Sequence, residues 1–378
     1  MAGSCVVRAL LSRARLFRCV TSGSRRSFVT GGQSRGSLTS QPQAGSGGRS
    51  SSGAESRAAL WAAAAAFSLF SRTEEDERDE GQKKEDAMIL LLKKAKLSVY
   101  RGQLQAASDF LHQAIVLAHQ THNNQAIIYT YSLMANLAYV QGQLDQAEKL
   151  FKAAMSFMLS GGTPQDDNAV IEISLKLATI YAAQNRTELA EHGYRFCTES
   201  LEAKLEKQKE LPAEQLTEEQ QELRKETRLL LGLCLDSRAR YRASSLQLSQ
   251  AADDYRLALS ICQEEQGHTH PQTVVLMSDL ATILDLQGRH DDALALVERA
   301  VELSRRAGHP DLHVLLGNMA GILLHKGCVE EAVCLYQEAL SVARQAADEE
   351  AVQQITEGLQ EVRKRREEQR KEQDAAQH

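Results

Sequence analysis

An all-α solenoid of about six helical hairpins, closed by a C-terminal capping helix, is the fold that this 378-residue sequence predicts. Three observations carry the prediction: a small–large–small triplet recurring in register, a turn residue at a fixed offset before it, and a helix-favouring composition. The triplets are Ala107, Leu111 and Ala114; Ala147, Phe151 and Ala154; Ala190, Tyr194 and Cys197; Ala251, Tyr255 and Ala258; Ala293, Val297 and Ala300; and Ala332, Tyr336 and Ala339. Spacings of four and three put each set on one helix face. The small members allow two helices to cross closely, where a bulkier side chain would overpack at roughly 1–3 kcal/mol. Gly102, Gly142, Asn185, Gly288 and Gly327 stand at the turns, because glycine and asparagine tolerate a left-handed backbone. Only five prolines and 5% aromatics accompany abundant Ala, Leu, Gln and Glu, a helical composition.

The clearest hairpin is Tyr129 to Met155. Tyr131, Met134, Ala135 and Ala138 form the buried stripe of its first helix, and Leu144, Ala147, Leu150, Phe151 and Ala154 that of its second. One hairpin cannot bury both of its faces, so it requires copies on either side. The first alanines of successive triplets lie 40, 43, 61, 42 and 39 residues apart, a repeat period with one long exception.

In chain order, residues 1–35 are rich in Arg and Ser and contain no acid, the pattern of a mitochondrial transit peptide. Residues 36–57 read as a Gly/Ser linker. Residues 58–71 (AALWAAAAAFSLFS) are uncharged, but as a helix they rise about 21 Å against a hydrocarbon core of roughly 30 Å. They read either as a short inner-membrane anchor or as an interfacial Ala-rich helix. An acidic linker, 72–87, precedes the repeats at 88–345. The long interval holds a charged segment, 198–226, read as an extended hairpin that is either a solvated face or a docking arm; Thr217 with Gln220 predicts a capping box restarting a helix there. Residues 241–250 read as a second insertion. Val352, Ile355, Leu359 and Val362 give the capping helix of 346–378, followed by a polar tail.

The formal charge is −6, yet residues 1–54 carry eight arginines and no acid, so the remainder is eight charges more negative than the whole. Such a body is unsuited to nucleic acid, which needs a clustered basic face. Seven scattered cysteines describe neither a zinc site nor a disulfide framework, and Cys197 reads as a small core residue in an alanine position. His112, His119 and His122 could share a helix face, and His268 with His270 could chelate a metal, but both sets lack further ligands at usable spacing. No nucleophile arrangement or phosphate loop is present, so the sequence predicts a non-enzymatic protein with no cofactor and no metal.

The remaining candidate site is the groove lined by first helices. Its expected lining includes Lys96, Tyr100, Asn136, Tyr139, Val140, Glu172, Thr179 and Asp285, together with Leu175, Asp236, Ser278 and His325. A mixed, weakly polar groove of this kind suits an extended peptide, unless these residues are merely solvated.

The triplet with its turn glycine resembles the tetratricopeptide repeat family. The spacing, with Gly267-His268-Thr269-His270-Pro271 and Gly308-His309-Pro310 between hairpins, is similar to the kinesin-light-chain variety. Stretches such as LMANLAYVQGQLDQAE and NAVIEISLKLATIYAAQNR resemble a mitochondrial branch of that family. An arginine-rich N-terminus followed by an apolar stop and an acidic body suits an inner-membrane anchor with the body in the intermembrane space. The resemblance implies support of respiratory complex III through association with its subunits and clearance of Rieske iron–sulfur protein fragments. A chaperone-linked import receptor is the alternative. The family's clamp for a C-terminal carboxylate uses lysines and asparagines; here Asn136 fits one slot, while Leu92 and Glu172 stand where lysine is expected.

Overall fold

The computed structural model describes residues 80–209 and 217–376. The expected transit peptide, the Gly/Ser linker and the apolar segment 58–71 lie outside the described residues. Among the described residues there are thirteen helices and no strand. Six hairpins follow one another: α1 (Glu80–Tyr100) with α2 (Leu104–Gln120), α3 (Asn124–Val140) with α4 (Leu144–Ser160), and α5 (Asn168–Ala183) with α6 (Thr187–Lys209). Then come α7 (Glu218–Ser244) with α8 (Leu248–Gln266), α9 (Pro271–Leu286) with α10 (His290–Ala307), and α11 (Leu312–Lys326) with α12 (Val329–Gln345). The helix α13 (Glu349–Ala376) packs against α12. Helical backbone thus begins at Glu80, inside the segment read as an acidic linker.

Helix starts use side-chain caps where the sequence supplies them. Asn123 accepts from the Ala126 amide at 3.0 Å and Asp167 from the Ala169 amide at 2.9 Å. At α7, Thr217 and Gln220 exchange the two bonds of a capping box, satisfying amides that helix geometry leaves without partners.

Five hairpins turn on a residue with positive φ, five positions before the triplet: Gly102, Gly142, Asn185, Gly288 and Gly327. In the fourth hairpin Leu246 takes that place, with φ 60°. Residues 241–250 are therefore no insertion. They are the end of α7, an ordinary turn and the start of α8, disguised because leucine fills a position that normally selects glycine.

First helices of successive hairpins approach one another directly, α5 to α7, α9 to α11 and α11 to α13, while second helices come less close. The first helices therefore form the inner layer and the second helices the outer one. Buried side chains fall into three clusters, Met88–Leu137, Ala135–Ile180 and Ile171–Val362. Adjacent clusters are joined through the two sides of α3 and α5.

Every small member of the six triplets is fully buried. Ala107, Ala147, Ala190, Ala251, Ala293 and Ala332 open the triplets at 0% exposure, and Ala114, Ala154, Cys197, Ala258, Ala300 and Ala339 close them at 0%. With no surface left for a partner, these positions act as scaffold: they let neighbouring helices cross at close range. Cys197 fills its alanine position with a thiol that donates to the Ile171 carbonyl at 3.6 Å. The larger central members, Leu111, Phe151, Tyr194, Tyr255, Val297 and Tyr336, are buried as well.

The long hairpin is α6, 23 residues, and α7, 27 residues. Its base is not free. Lys204 donates to Asn168 Oδ1 at 2.9 Å and to the Asp166 carbonyl at 3.2 Å, and Asn168 Nδ2 donates to Thr227 Oγ1 at 3.0 Å. The α4–α5 loop thus holds both helices together at that level.

Candidate protein-binding groove

Counting back six residues from each turn residue gives one equivalent place on every first helix: Lys96, Asn136, Thr179, Arg240, Thr282 and Gly321. This row runs along the inner layer, and its chemistry changes along the chain.

In the first two hairpins the inner layer is open and apolar at its edges. Tyr100 is 72% exposed, Val140 52%, Val99 45% and Tyr129 37%. The Lys96 ammonium sits 5.0 Å from the centre of the Tyr129 ring, a cation–π contact that keeps the lysine stem against the aromatic face. Asn136 donates from Nδ2 to the Ser132 carbonyl at 2.9 Å, and Ser132 donates to the Ile128 carbonyl at 2.9 Å. The Ser132 hydroxyl and one N–H of Asn136 are thus spent within the helix, leaving the second Asn136 N–H and its carbonyl oxygen for a partner.

Tyr139 and Thr179 lie deeper. Burial raises the Tyr139 pKa, with the Arg240 charge acting in the opposite sense, so the phenol stays a neutral donor at physiological pH. Thr179 donates to the Leu175 carbonyl at 2.9 Å and receives the Tyr194 hydroxyl at 3.4 Å. Glu172 is half-buried without a hydrogen bond or ion pair among the described residues. Burial pushes its pKa up, against the pull of Lys176 one turn on. A carboxylate held this way is poised to take a cationic or N–H partner.

Beyond the third hairpin the inner layer is closed by its own ion pairs. Arg240 grips Asp236 with two guanidinium nitrogens, Nε to Oδ1 at 3.1 Å being one of them. Burial would lower the Arg240 pKa, but Asp236, Tyr255 and Asp279 together hold it above the usual arginine value. Asp254, 5% exposed, is clamped by Arg238 at 2.7 and 3.0 Å and by Arg242 at 2.6 Å, and Arg238 also donates to Thr198 at 2.8 Å. One buried carboxylate thereby ties α6, α7 and α8 together.

Several residues expected to line the groove are interior instead. Asp285 is only 5% exposed; its Oδ1 meets His290 Nδ1 at 2.7 Å and its Oδ2 meets His325 Nδ1 at 2.6 Å. A carboxylate in a packed interior must be partnered, and two imidazoles do this, His290 from the same hairpin and His325 from the next. Asp236, Ser278 and Leu175 are likewise buried, with Ser278 taking a hydrogen bond from Asn318 at 2.8 Å. Lys96, Tyr100, Asn136, Tyr139, Val140, Glu172 and Thr179 all lie on α1, α3 and α5. Sequence reasoning missed Tyr129 and Arg240. The fixed offset from the turn would have found Arg240 had Leu246 been recognised as a turn residue.

The histidines serve separate structural ends. His112 bonds the Ser108 carbonyl at 2.8 Å, and His119 bonds the Tyr131 hydroxyl at 3.2 Å with its ring edge-on to Phe157. His270 caps α9 by accepting from the Gln272 amide at 3.2 Å, and burial lowers its pKa. His309 receives the Asp311 amide at 3.0 Å at the equivalent place one hairpin later.

A model of the tetratricopeptide repeat matches residues 247–306. Mitochondrial tetratricopeptide repeat protein 19 of Danio rerio is 71% identical over 303 residues, which is 80% of this chain and 74% of that protein. The chain belongs to this family. The Homo sapiens member is 54% identical over 232 residues, 61% of this chain and 60% of its own length. The solved apo form of RapI is similar with a TM-score of 0.55 at 13% identity, covering 75% of this chain and 72% of that one, and this likeness concerns the fold alone. Membership makes the chain a tetratricopeptide-type scaffold of a family named as mitochondrial, of the kind that binds protein.

Proposed function

We propose that the chain binds an extended protein segment in the groove of its first three hairpins. Through that contact it supports respiratory complex III at the mitochondrial inner membrane, taking part in the turnover of Rieske iron–sulfur protein fragments. The reading is non-catalytic. Family membership supports the complex III assignment, and one observation supports the location on the scaffold. On the inner layer, apart from Leu223 near the start of α7, large apolar side chains are exposed only in the first two hairpins among the described residues. Val99, Tyr100, Tyr129 and Val140 stand there beside the acceptor of Asn136 and the half-buried Glu172. Exposed aromatic and aliphatic groups around a few polar ones are what an extended chain needs for anchoring.

Anchoring through residues 58–71, with the repeats in the intermembrane space, completes the proposal. Protease treatment of intact and outer-membrane-ruptured mitochondria tests the orientation: digestion should occur only after rupture. A photocrosslinker at Asn136 or Tyr139 should capture complex III subunits, the Rieske protein among them. Capture solely from positions in 198–226 would move the site to the long hairpin, and capture of import chaperones would replace this reading by the receptor one.

A further inference from the structure

The helix α1 opens the row of described hairpins and exposes apolar side chains that no described residue covers. Met88, Ala95 and Ser98 point into the hairpin core and are buried, so the opposite side of the helix faces outward. On that side Leu90 and Leu97, seven residues apart, are 52% and 47% exposed, with Ile89 at 44% beside them. Three exposed cations flank the stripe: a step of 100° per residue sets Lys93 along one edge and Lys94 along the other, and Arg101 follows in the turn just past α1. No acid occurs from Ala87 to Ser108, although the chain as a whole is acidic. The opposite end of the repeats differs: after Leu257 no large apolar side chain is exposed among the described residues, and α13 turns charges of both signs outward.

We propose that this outer face of α1 docks on an anionic phospholipid surface. Leu90 and Leu97 enter the boundary between headgroups and acyl chains, while Lys93, Lys94 and Arg101 reach the phosphates. An apolar stripe bordered on both edges by cations matches the layering of that boundary, and lysine stems can lie along the apolar zone while their ammonium groups stay at the phosphates. Two of the three cations are lysines, which protein interfaces disfavour. A second copy of the chain would set like charges against each other across a two-fold contact. The proposal rests on Leu90, Leu97, Lys93, Lys94 and Arg101, none of which lines the groove, and stands whatever the groove binds.

The test is binding of the full chain to phosphatidylcholine vesicles with and without phosphatidylglycerol. The wild-type chain should prefer the anionic vesicles. The triple variant Lys93→Glu, Lys94→Glu, Arg101→Glu should lower that preference on the order of a hundredfold, and Leu90→Ser with Leu97→Ser should weaken anionic binding by at least about tenfold. All five positions are exposed, and unchanged circular dichroism would confirm folding. The segment 58–71 is common to every variant, so any membrane affinity of its own cancels in the comparison. A preference retained by the triple variant overturns the proposal. So does a charge effect without a leucine effect, which would mean diffuse attraction rather than a docked helix. Protection of α1 from hydrogen exchange by an acidic polypeptide, but not by vesicles, would give the face to a protein.

Discussion

The first two hairpins and the last three are built on one repeat but treat their inner surfaces in opposite ways. Of the exposed large apolar side chains among the described residues, nine lie before Ser160 and four after it. The four buried aspartates, Asp236, Asp254, Asp279 and Asp285, all belong to the fourth and fifth hairpins. There the polar groups are spent within and between neighbouring helices through Arg240, Arg238, Arg242, His290 and His325, and one core runs from Ile171 to Val362. The early hairpins keep two small clusters of their own and leave aromatic and aliphatic groups to solvent. The contrast separates a stiff, self-satisfied segment from one with binding capacity left over.

The largest expected effect lies in the closed segment. Asp254→Ala strands Arg238 and Arg242 and should cost roughly 3–5 kcal/mol in urea unfolding; a loss under about 1 kcal/mol would mean that solvent already screens the cluster. Next comes the cap. A Cβ at Gly358 would stand 2.8 Å from the Tyr336 ring, so Gly358→Ala should cost roughly 1–3 kcal/mol and speed hydrogen exchange in α13. Leu246→Gly should do the reverse, raising stability by about 1 kcal/mol, because an exposed leucine held at φ 60° gives up little packing and the strain is relieved.

The open segment responds less in stability and more in binding. Burial raises the Glu172 pKa, so the folded state holds that proton more tightly than the unfolded chain does. Relative to Glu172→Gln, the wild type should therefore gain stability as pH falls from neutral toward the ordinary glutamate range. Glu172→Gln should remove this pH dependence and be the more stable form at neutral pH; identical pH profiles would show that the carboxylate is solvated or paired in solution. Tyr100→Ala and Val140→Ala should each change stability by no more than about 0.5 kcal/mol, yet together abolish crosslinking from Asn136. Undiminished crosslinking would erase the functional side of the contrast.

The triplets of alanine and a larger residue made the repeat legible because close helix crossing admits few side chains, and a constraint repeated six times stands out from chance. The turn glycines were legible for a similar reason, since one backbone conformation selects them strongly. Leu246 escaped because its conformation is imposed by the packed helices on either side rather than by its own preference. Lys96, Asn136 and Tyr139 could be placed on first helices from register alone. Asp285 could be placed there equally well, but nothing near it in sequence announces that His325, forty positions away, would close over it.

What the sequence determined by itself is therefore the periodic part of this protein: the hairpin, its copies, and the face each helix turns inward. Helix period and close packing are local rules that act within about forty residues. Which inward faces stay open was decided only by the tertiary structure. A buried carboxylate is satisfied or left waiting according to what neighbouring hairpins bring to it, and that is why Asp285 is closed while Glu172 is not.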